Sequence, residues 1–338
     1  MICHFWLILS KKKEGLSTNH TTLPNISVVI AFRNESSNLN HLVNYLKNQN
    51  FPKEKFEVIF IDDHSTDNSE TILQEALLAS DLRNRVIPLL ELTGKKNAIE
   101  LGVLKSNYEI VITTDADCSM GHNWLKSMSE PFSLQEISMV LGPVKLEGEK
   151  SFLNQLQTIE FASLMGITMT TANRGKAILS NGANCAFLKK DFLNNDPYSG
   201  NKKTMTGDDI FLLHSLKRKP NTIIEFCDKA DALVNSSTKT SLRSFLSQRL
   251  RWASKTKNYR DRDTLFIGAL LFAVNLSVLI LLFTTLFGKT ALEKLCLVFL
   301  FKWVLDLLFL QRVPVWLRSK EIILTSFSLS IVYPFYSV

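Results

Sequence analysis

The chain has 338 residues, 46% hydrophobic and 21% charged, with a formal net charge of +7. That mixture excludes a disordered polyelectrolyte, and five scattered cysteines without CxxC spacing exclude a disulfide framework or a thiolate zinc site. The basic excess sits in Lys11–Lys13 and Arg243–Arg262, the latter beside an apolar region, and no nucleic-acid-binding motif accompanies it, so anionic headgroups are the expected partner and nucleic acid is not.

In chain order, residues 1–23 open with an apolar ICHFWLIL followed by SKKK. The apolar part is too short to span a bilayer and reads as the tail end of an N-terminal anchor; the charges follow it and no small-residue cleavage site appears, which argues against a signal peptide. From Ile26 the pattern alternates. Ile26–Phe32, Phe56–Asp62, Arg85–Leu90 and Tyr108–Thr114 are rich in Val and Ile and predict strands, whereas Ser36–Asn48, Asp67–Ala79 and Lys95–Lys105 have helical spacing. Strands alternating with helices predict an α/β fold with a mostly parallel sheet, and such sheets bind ligands at the carboxyl ends of their strands. A further strand candidate, Cys185–Leu188, follows the turn Asn181-Gly182-Ala183-Asn184.

The composition changes near Thr264. Leu265–Phe287 holds no ionisable residue and is long enough to cross a hydrocarbon core of about 30 Å at about 1.5 Å per residue. Leu295–Leu310 carries Lys302 and Asp306 at i and i+4, where they can pair. Ile322–Val338 is apolar again, so about three spans are expected. Basic residues before the first span and after the second orient the catalytic part to the cytoplasm. The expected division is therefore an N-terminal segment over 1–23, an α/β domain over 24–239, an interfacial helix over 240–262 and a multi-pass membrane region over 263–338.

The predicted strand ends are acidic. One runs into Asp62-Asp63-His64-Ser65-Thr66-Asp67 and another into Asp115-Ala116-Asp117. Clustered carboxylates repel, so a cation or a hydrogen-bonding ligand is the natural compensation. An extended Asp115-x-Asp117 would put both side chains on one side, and Mg²⁺ or Mn²⁺ takes such hard oxygen donors, completing its shell with water and phosphate. The plainer readings are a chance DxD and a helix-capping role for Asp67.

The ordered series VVIAFRNE, VIFIDDHSTDNS, GKKNAI, TTDADC, TGDD and QRLRW resembles the membrane-bound family 2 glycosyltransferases of GT-A fold, which include cellulose and hyaluronan synthases and ceramide glucosyltransferases. The similarity runs from Ile26 to Trp252. It implies that Glu35 borders the nucleotide, that Asp63 contacts the base, and that Lys95, or Lys96 by a shift of register, approaches the phosphates. The family often has glycine where this chain has His64. By the same resemblance Asp115 engages the nucleotide and Asp117 the metal, Mg²⁺ or Mn²⁺, with Cys118 a packing residue. Within TGDD the resemblance makes Asp209 the base that deprotonates the acceptor hydroxyl, with Asp208 as the alternative; either Asp can also serve the helix that follows. Gln248, Arg251 and Trp252 of QxxRW share one helical face, suited to a phosphate and a sugar or, more plainly, to lipid headgroups.

The resemblance implies an inverting transfer of a sugar from a UDP- or GDP-sugar, and because channel-forming members generally have more than about three spans, the expected acceptor is a hydroxyl of a lipid or lipid-linked molecule at the cytoplasmic membrane face. A processive polysaccharide synthase is the alternative acceptor class. A non-catalytic subunit of an envelope glycan assembly is the alternative from a different class, and a nucleotidyltransferase would leave QxxRW and the spans unexplained.

Overall fold

The structure is a computed structural model that describes residues 23–133, 136–199, 207–288, 292–318 and 321–338. The expected N-terminal anchor remnant, Lys11–Lys13, and Thr206 of TGDD lie outside the described residues. The chain divides into two compact units, one running to Val144 and including Leu179–Ser237, the other formed by Lys145–Ile178 and Thr238–Val338.

In the first unit, β1 (Ile26–Phe32), α1 (Leu39–Lys47), β2 (Phe56–Asp62), α2 (Ser69–Leu78), β3 (Asn84–Pro88), α3 (Lys95–Lys105) and β4 (Ile110–Thr113) alternate as the sequence predicts. The buried ISVVIAF and FEVIFID runs become central parallel strands, paired Ile26 to Phe56 through Phe32 to Asp62. β3 and β4 join them in parallel. β4 begins at Ile110, later than the pattern suggests. The Asn107 and Tyr108 amides donate instead to the Glu57 and Ser27 side chains, which ends the ladder there. α1 covers the sheet with Leu39, Leu42, Val43 and Leu46, and α3 approaches so closely that a methyl at Gly102 would sit 2.3 Å from Val29 Cγ1.

β5 (Ser119–Met120), α4 (Trp124–Ser129) and β6 (Met139–Leu141) follow β4. The chain leaves this unit along β7 (Val144–Glu147) and the 21-residue α5 (Phe152–Ala172), then returns through β8 (Cys185–Leu188), α6 (Lys189–Asn195), α7 (Asp208–Lys217), β9 (Ile224–Phe226) and β10 (Val234–Ser237). The main sheet has the order β3-β2-β1-β4-β8-β6-β9, and β8 runs antiparallel to β4 with Thr113 opposite Cys185. This reversal positions the site, because the loop before β8 starts at the edge where β4 ends.

In the second unit, α8 (Leu242–Lys255) opens with a capping box in which Ser241 and Ser244 satisfy each other's backbone amides. It is followed by α9 (Arg262–Leu286), α10 (Leu292–Arg312) and α11 (Ile322–Ser337). α9, with 25 residues and a mean hydropathy of 2.7, is the one helix among the described residues long and apolar enough to cross a bilayer. The other two expected spans are helical. α10 carries Lys302 and Asp306, joined at 2.6 Å as their spacing predicts, while the 16 residues of α11 rise only about 24 Å. Ser330 of α11 donates to Asp306, Trp303 of α10 donates to Ser326 of α11, and Gly166 of α5 packs on Phe309 and Val313.

Candidate active site

At the carboxyl edge of the first unit's sheet, the turns after β1 and β2 are held by short polar side chains. After β1, Asn34 adopts φ 56° and its side-chain Oδ1 accepts from the Thr66 amide at 2.7 Å. The Glu35 carboxylate, expected to border a nucleotide, accepts from Asn38 Nδ2 at 2.6 Å and so also closes the entry to α1. After β2, Asp62 accepts from the Ser65 amide and hydroxyl, and His64 takes the left-handed φ of 60° at the position where glycine is usual in the family it resembles. Asp67 accepts from the Ser69 hydroxyl and amide and from the Ser36 amide, bonds that hold its pKa down at about 2. It therefore ties the turn to the first residue of α2.

Asp63 is buried, and both of its oxygens accept from the Gly94 amide, at 3.0 and 2.9 Å. Gly94 has φ 99°, a conformation that favours glycine, and it delivers Lys95 as the first residue of α3. The two lysines differ in surroundings. Lys95 Nζ lies 2.6 Å from Asp115 Oδ1 and 3.4 Å from Asp208 Oδ2. Lys96 is buried, with its ammonium 6.0 Å from the Tyr198 ring centroid and 5.5 Å from that of Phe211. Desolvation lowers the Lys95 pKa, but Asp115 and then Asp208 and Asp209 outweigh it and hold the ammonium well above the ordinary lysine value. For Lys96 desolvation wins over the attraction of Asp208, and its pKa falls.

β4 ends at Thr113, and the Cys118 amide donates to the Asp115 carbonyl. Asp115-Ala116-Asp117 thus lies in a tight turn, which corrects the expectation of an extended segment. Asp115 points to Lys95, and Asp117 is half-buried beside it in the chain. Cys118 is buried, and burial, followed by Asp115 and Asp117, pushes its thiol well up. Among the described residues no group of three His, Cys, Asp or Glu side chains stands close enough to hold an ion alone. One or two carboxylates with the remaining positions left to phosphate and water are nevertheless the donor set Mg²⁺ and Mn²⁺ accept.

The antiparallel β8 brings the third part. Gly207, at φ 99°, starts α7 so that Asp208 and Asp209 fall in its first turn, favourable to the helix dipole. Asp208 is buried against Lys95. Asp209 is half-buried and accepts from the Ile210 amide at 2.8 Å and the Gly182 amide at 3.2 Å. The Tyr198 hydroxyl donates to the Asp208 carbonyl, and burial followed by Asp208 and Asp209 raises that phenol's pKa well above normal.

From the residues alone Asn181–Asn184 is only a turn, while the family resemblance puts a similar loop near the acceptor; the structure divides its residues by role. The Gly182 amide holds Asp209, whereas buried Asn184 donates to the Pro143 and Ala232 carbonyls and accepts from Trp124 Nε1, stitching the sheet's neighbours together. The signal was a glycine between two asparagines, too common to assign a role. Lys95, Asp115, Asp208 and Asp209 are therefore brought into one cluster, with Asp63 one step removed through Gly94.

In the second unit, Gln248 is half-buried, Arg251 is exposed and Trp252 is half-buried on α8. Arg249, which the motif leaves unspecified, is the buried basic residue of the helix.

The mostly parallel α/β sheet, with carboxylates and a lysine clustered at its carboxyl edge, has the GT-A fold. Residues 27–195, half of the chain, match glycosyl transferase family 2, and the chain belongs to that family. It is 27% identical over 184 residues to poly-beta-1,6-N-acetyl-D-glucosamine synthase of Staphylococcus epidermidis, covering 54% of this chain and 44% of that protein. With the protein of the same name from Staphylococcus aureus strain COL it shares 30% identity over 159 residues, 47% of this chain and 37% of the relative. The chain thus spans less than half the length of these curated relatives. The mannosyltransferase PcManGT from Pyrobaculum calidifontis, solved in complex with GDP-Man and Mn²⁺, has the same fold, with a TM-score of 0.55 at 18% identity over 75% of this chain and 66% of that one.

Proposed function

We propose that the protein transfers a sugar from a nucleoside-diphosphate sugar to a hydroxyl group of a growing glycan, with inversion at the anomeric carbon, at the cytoplasmic face of a membrane. The observation that carries this reading is the Lys95 ammonium, held between Asp115 of the DxD turn and Asp208 at the start of α7. Departure of a nucleoside diphosphate leaves negative charge on its β-phosphate while the sugar becomes cationic, so the site needs fixed positive charge on one side and a base on the other. Lys95, kept protonated by its neighbours, supplies the first.

Asp209 serves as the base. It is less buried than Asp208, and two backbone amides orient its carboxylate for the acceptor proton. Asp208 is tied to Lys95 and acts as its counter-ion. Asp117 holds the divalent ion, since Asp115 is committed to Lys95; when bound, Mg²⁺ or Mn²⁺ neutralises the leaving diphosphate as a Lewis acid. Asp63 fixes the loop that delivers Lys95 and contacts the base, with Glu35 at the edge of the nucleotide. Arg251 contacts a phosphate of the donor, and Gln248 and Trp252 contact the acceptor sugar.

The names of the relatives favour a glycan acceptor over the single lipid acceptor that the small number of spans suggests. A lipid-linked acceptor is the second reading, favoured by α9, which would anchor the protein with basic Arg260 and Arg262 on the cytoplasmic side. Incubation of the detergent-solubilised protein with radiolabelled UDP- and GDP-sugars and Mn²⁺ separates the two. A ladder of products supports the growing glycan, a single glycolipid supports the second reading, and a product of retained anomeric configuration refutes single displacement.

A further inference from the structure

Resting on the reading of Gln248 and Trp252 as substrate contacts, we infer that Glu160 of α5 and Arg249 of α8 are positioning residues that fix both contacts from beneath. The QxxRW pattern does not include either residue. Arg249 Nε donates to both Glu160 oxygens, at 3.0 and 3.1 Å, and Nη2 donates to the same carboxylate. The two side chains are 9% and 7% exposed. The remaining arm of the guanidinium, Nη1, donates to Gln248 Oε1 at 2.7 Å. The guanidinium carbon lies over the Trp252 ring, 4.3 Å from its centroid, and over the Phe245 ring, 4.4 Å from its centroid. Trp252 meets Phe161 of α5 at 6.2 Å, and Phe245 meets Tyr336 of α11 at 5.4 Å.

One planar cation therefore orients the amide of Gln248 and the indole of Trp252 together. Its own plane is set by a carboxylate on a different helix. A guanidinium suits this because it offers a rigid fork of donors at its edge and a stacking face at the same time; an ammonium offers a point charge alone. The Gln248 carbonyl is committed to Arg249, which presents its NH₂ group as the donor available to a ligand oxygen. α5 enters the chain between β7 and β8, so a helix far from the motif in sequence sets the motif's geometry.

A buried charge that loses its partner destabilises the fold, so the decisive variant removes both charges. Replacement of a buried ion pair by uncharged groups of similar volume is often neutral in stability. The double variant Glu160→Gln/Arg249→Met is expected to keep the wild-type Tm. Its transfer rate falls about 10-fold to 100-fold, in line with a misplacement of about 1 Å, through a raised acceptor KM, while nucleotide affinity at the Lys95 site is unchanged. The difference in emission spectrum between each protein and its Trp252→Phe counterpart isolates this indole, and it shifts when the stacked cation is removed. Arg249→Lys keeps the ion pair but loses the fork, and shows the same split at smaller amplitude. Wild-type transfer and an unshifted Trp252 emission in a folded double variant, with Gln248→Ala and Trp252→Phe impaired, overturn the positioning role alone. Wild-type transfer by Gln248→Ala and Trp252→Phe overturns the reading of the motif and the positioning role together.

Discussion

Gly182→Ala places one methyl group at the centre of the candidate site. The new Cβ would lie 2.6 Å from Asp208 Oδ2 and 3.0 Å from Lys95 Nζ, where ordinary contact needs about 3.5 Å. Gly182 does not use a left-handed φ, so alanine strains nothing in the backbone and the whole effect is steric. The Lys95–Asp208 pair must retreat by up to about 1 Å, or the loop must lift its amide from Asp209. Overpacking of this kind costs about 1–3 kcal/mol of stability, and a shift of about 1 Å at a reacting centre costs about 10²-fold in rate. Initial rates of sugar transfer, with Tm measured on the same preparations, test this against Gly121→Ala, which has nothing within 4 Å of its Cβ. If Gly182→Ala matches Gly121→Ala in both, the clamp formed by Lys95, Asp208 and the Gly182 loop is not part of the machinery.

Asp209→Asn removes the proposed base and is expected to lower transfer by about 10²–10⁴-fold; calorimetric titration should still find wild-type nucleotide affinity, and loss of that affinity instead would reassign the residue to the donor. Asp67 has a depressed folded pKa, about 2 against 3.8, so its contribution to stability is complete above pH about 4 and is lost as pH falls through about 2. The stability gap between wild type and Asp67→Asn should accordingly be flat near neutrality and close on acidification; a gap that widens at low pH contradicts the sign. Glu57→Ala strips the acceptor from the Ser27 hydroxyl, the Asn107 amide and Arg85 at the amino end of β2. Arg85 is 38% exposed and regains water, so the expected cost is about 2–3 kcal/mol. Chemical denaturation should show that loss with unchanged donor affinity.

Much of the fold was legible because periodicity is local. The runs ISVVIAF and FEVIFID are apolar on both faces, which only a strand buried between helices tolerates, and both became central strands. The limits of β4 were not legible, since they depend on Glu57 and Ser27, far away in the chain, drawing off the Asn107 and Tyr108 amides. In the same way the extended reading of Asp115-Ala116-Asp117 failed because a strand's last residue depends on its neighbours' register, and β4 stops opposite Cys185.

What the sequence by itself determined is the chemistry available: carboxylates after two strands, a lysine at a helix start, an acidic pair at another, and an apolar segment long enough for a bilayer. Each follows from residue type and spacing within one element. Only the tertiary structure decided which of these groups meet. The reversed β8 carries Gly182 to Asp209, the left-handed Gly94 delivers Lys95 to Asp115 and Asp208, and α5 places Glu160 against Arg249. Those meetings join residues distant along the chain, and the burial that enforces them belongs to the packed whole.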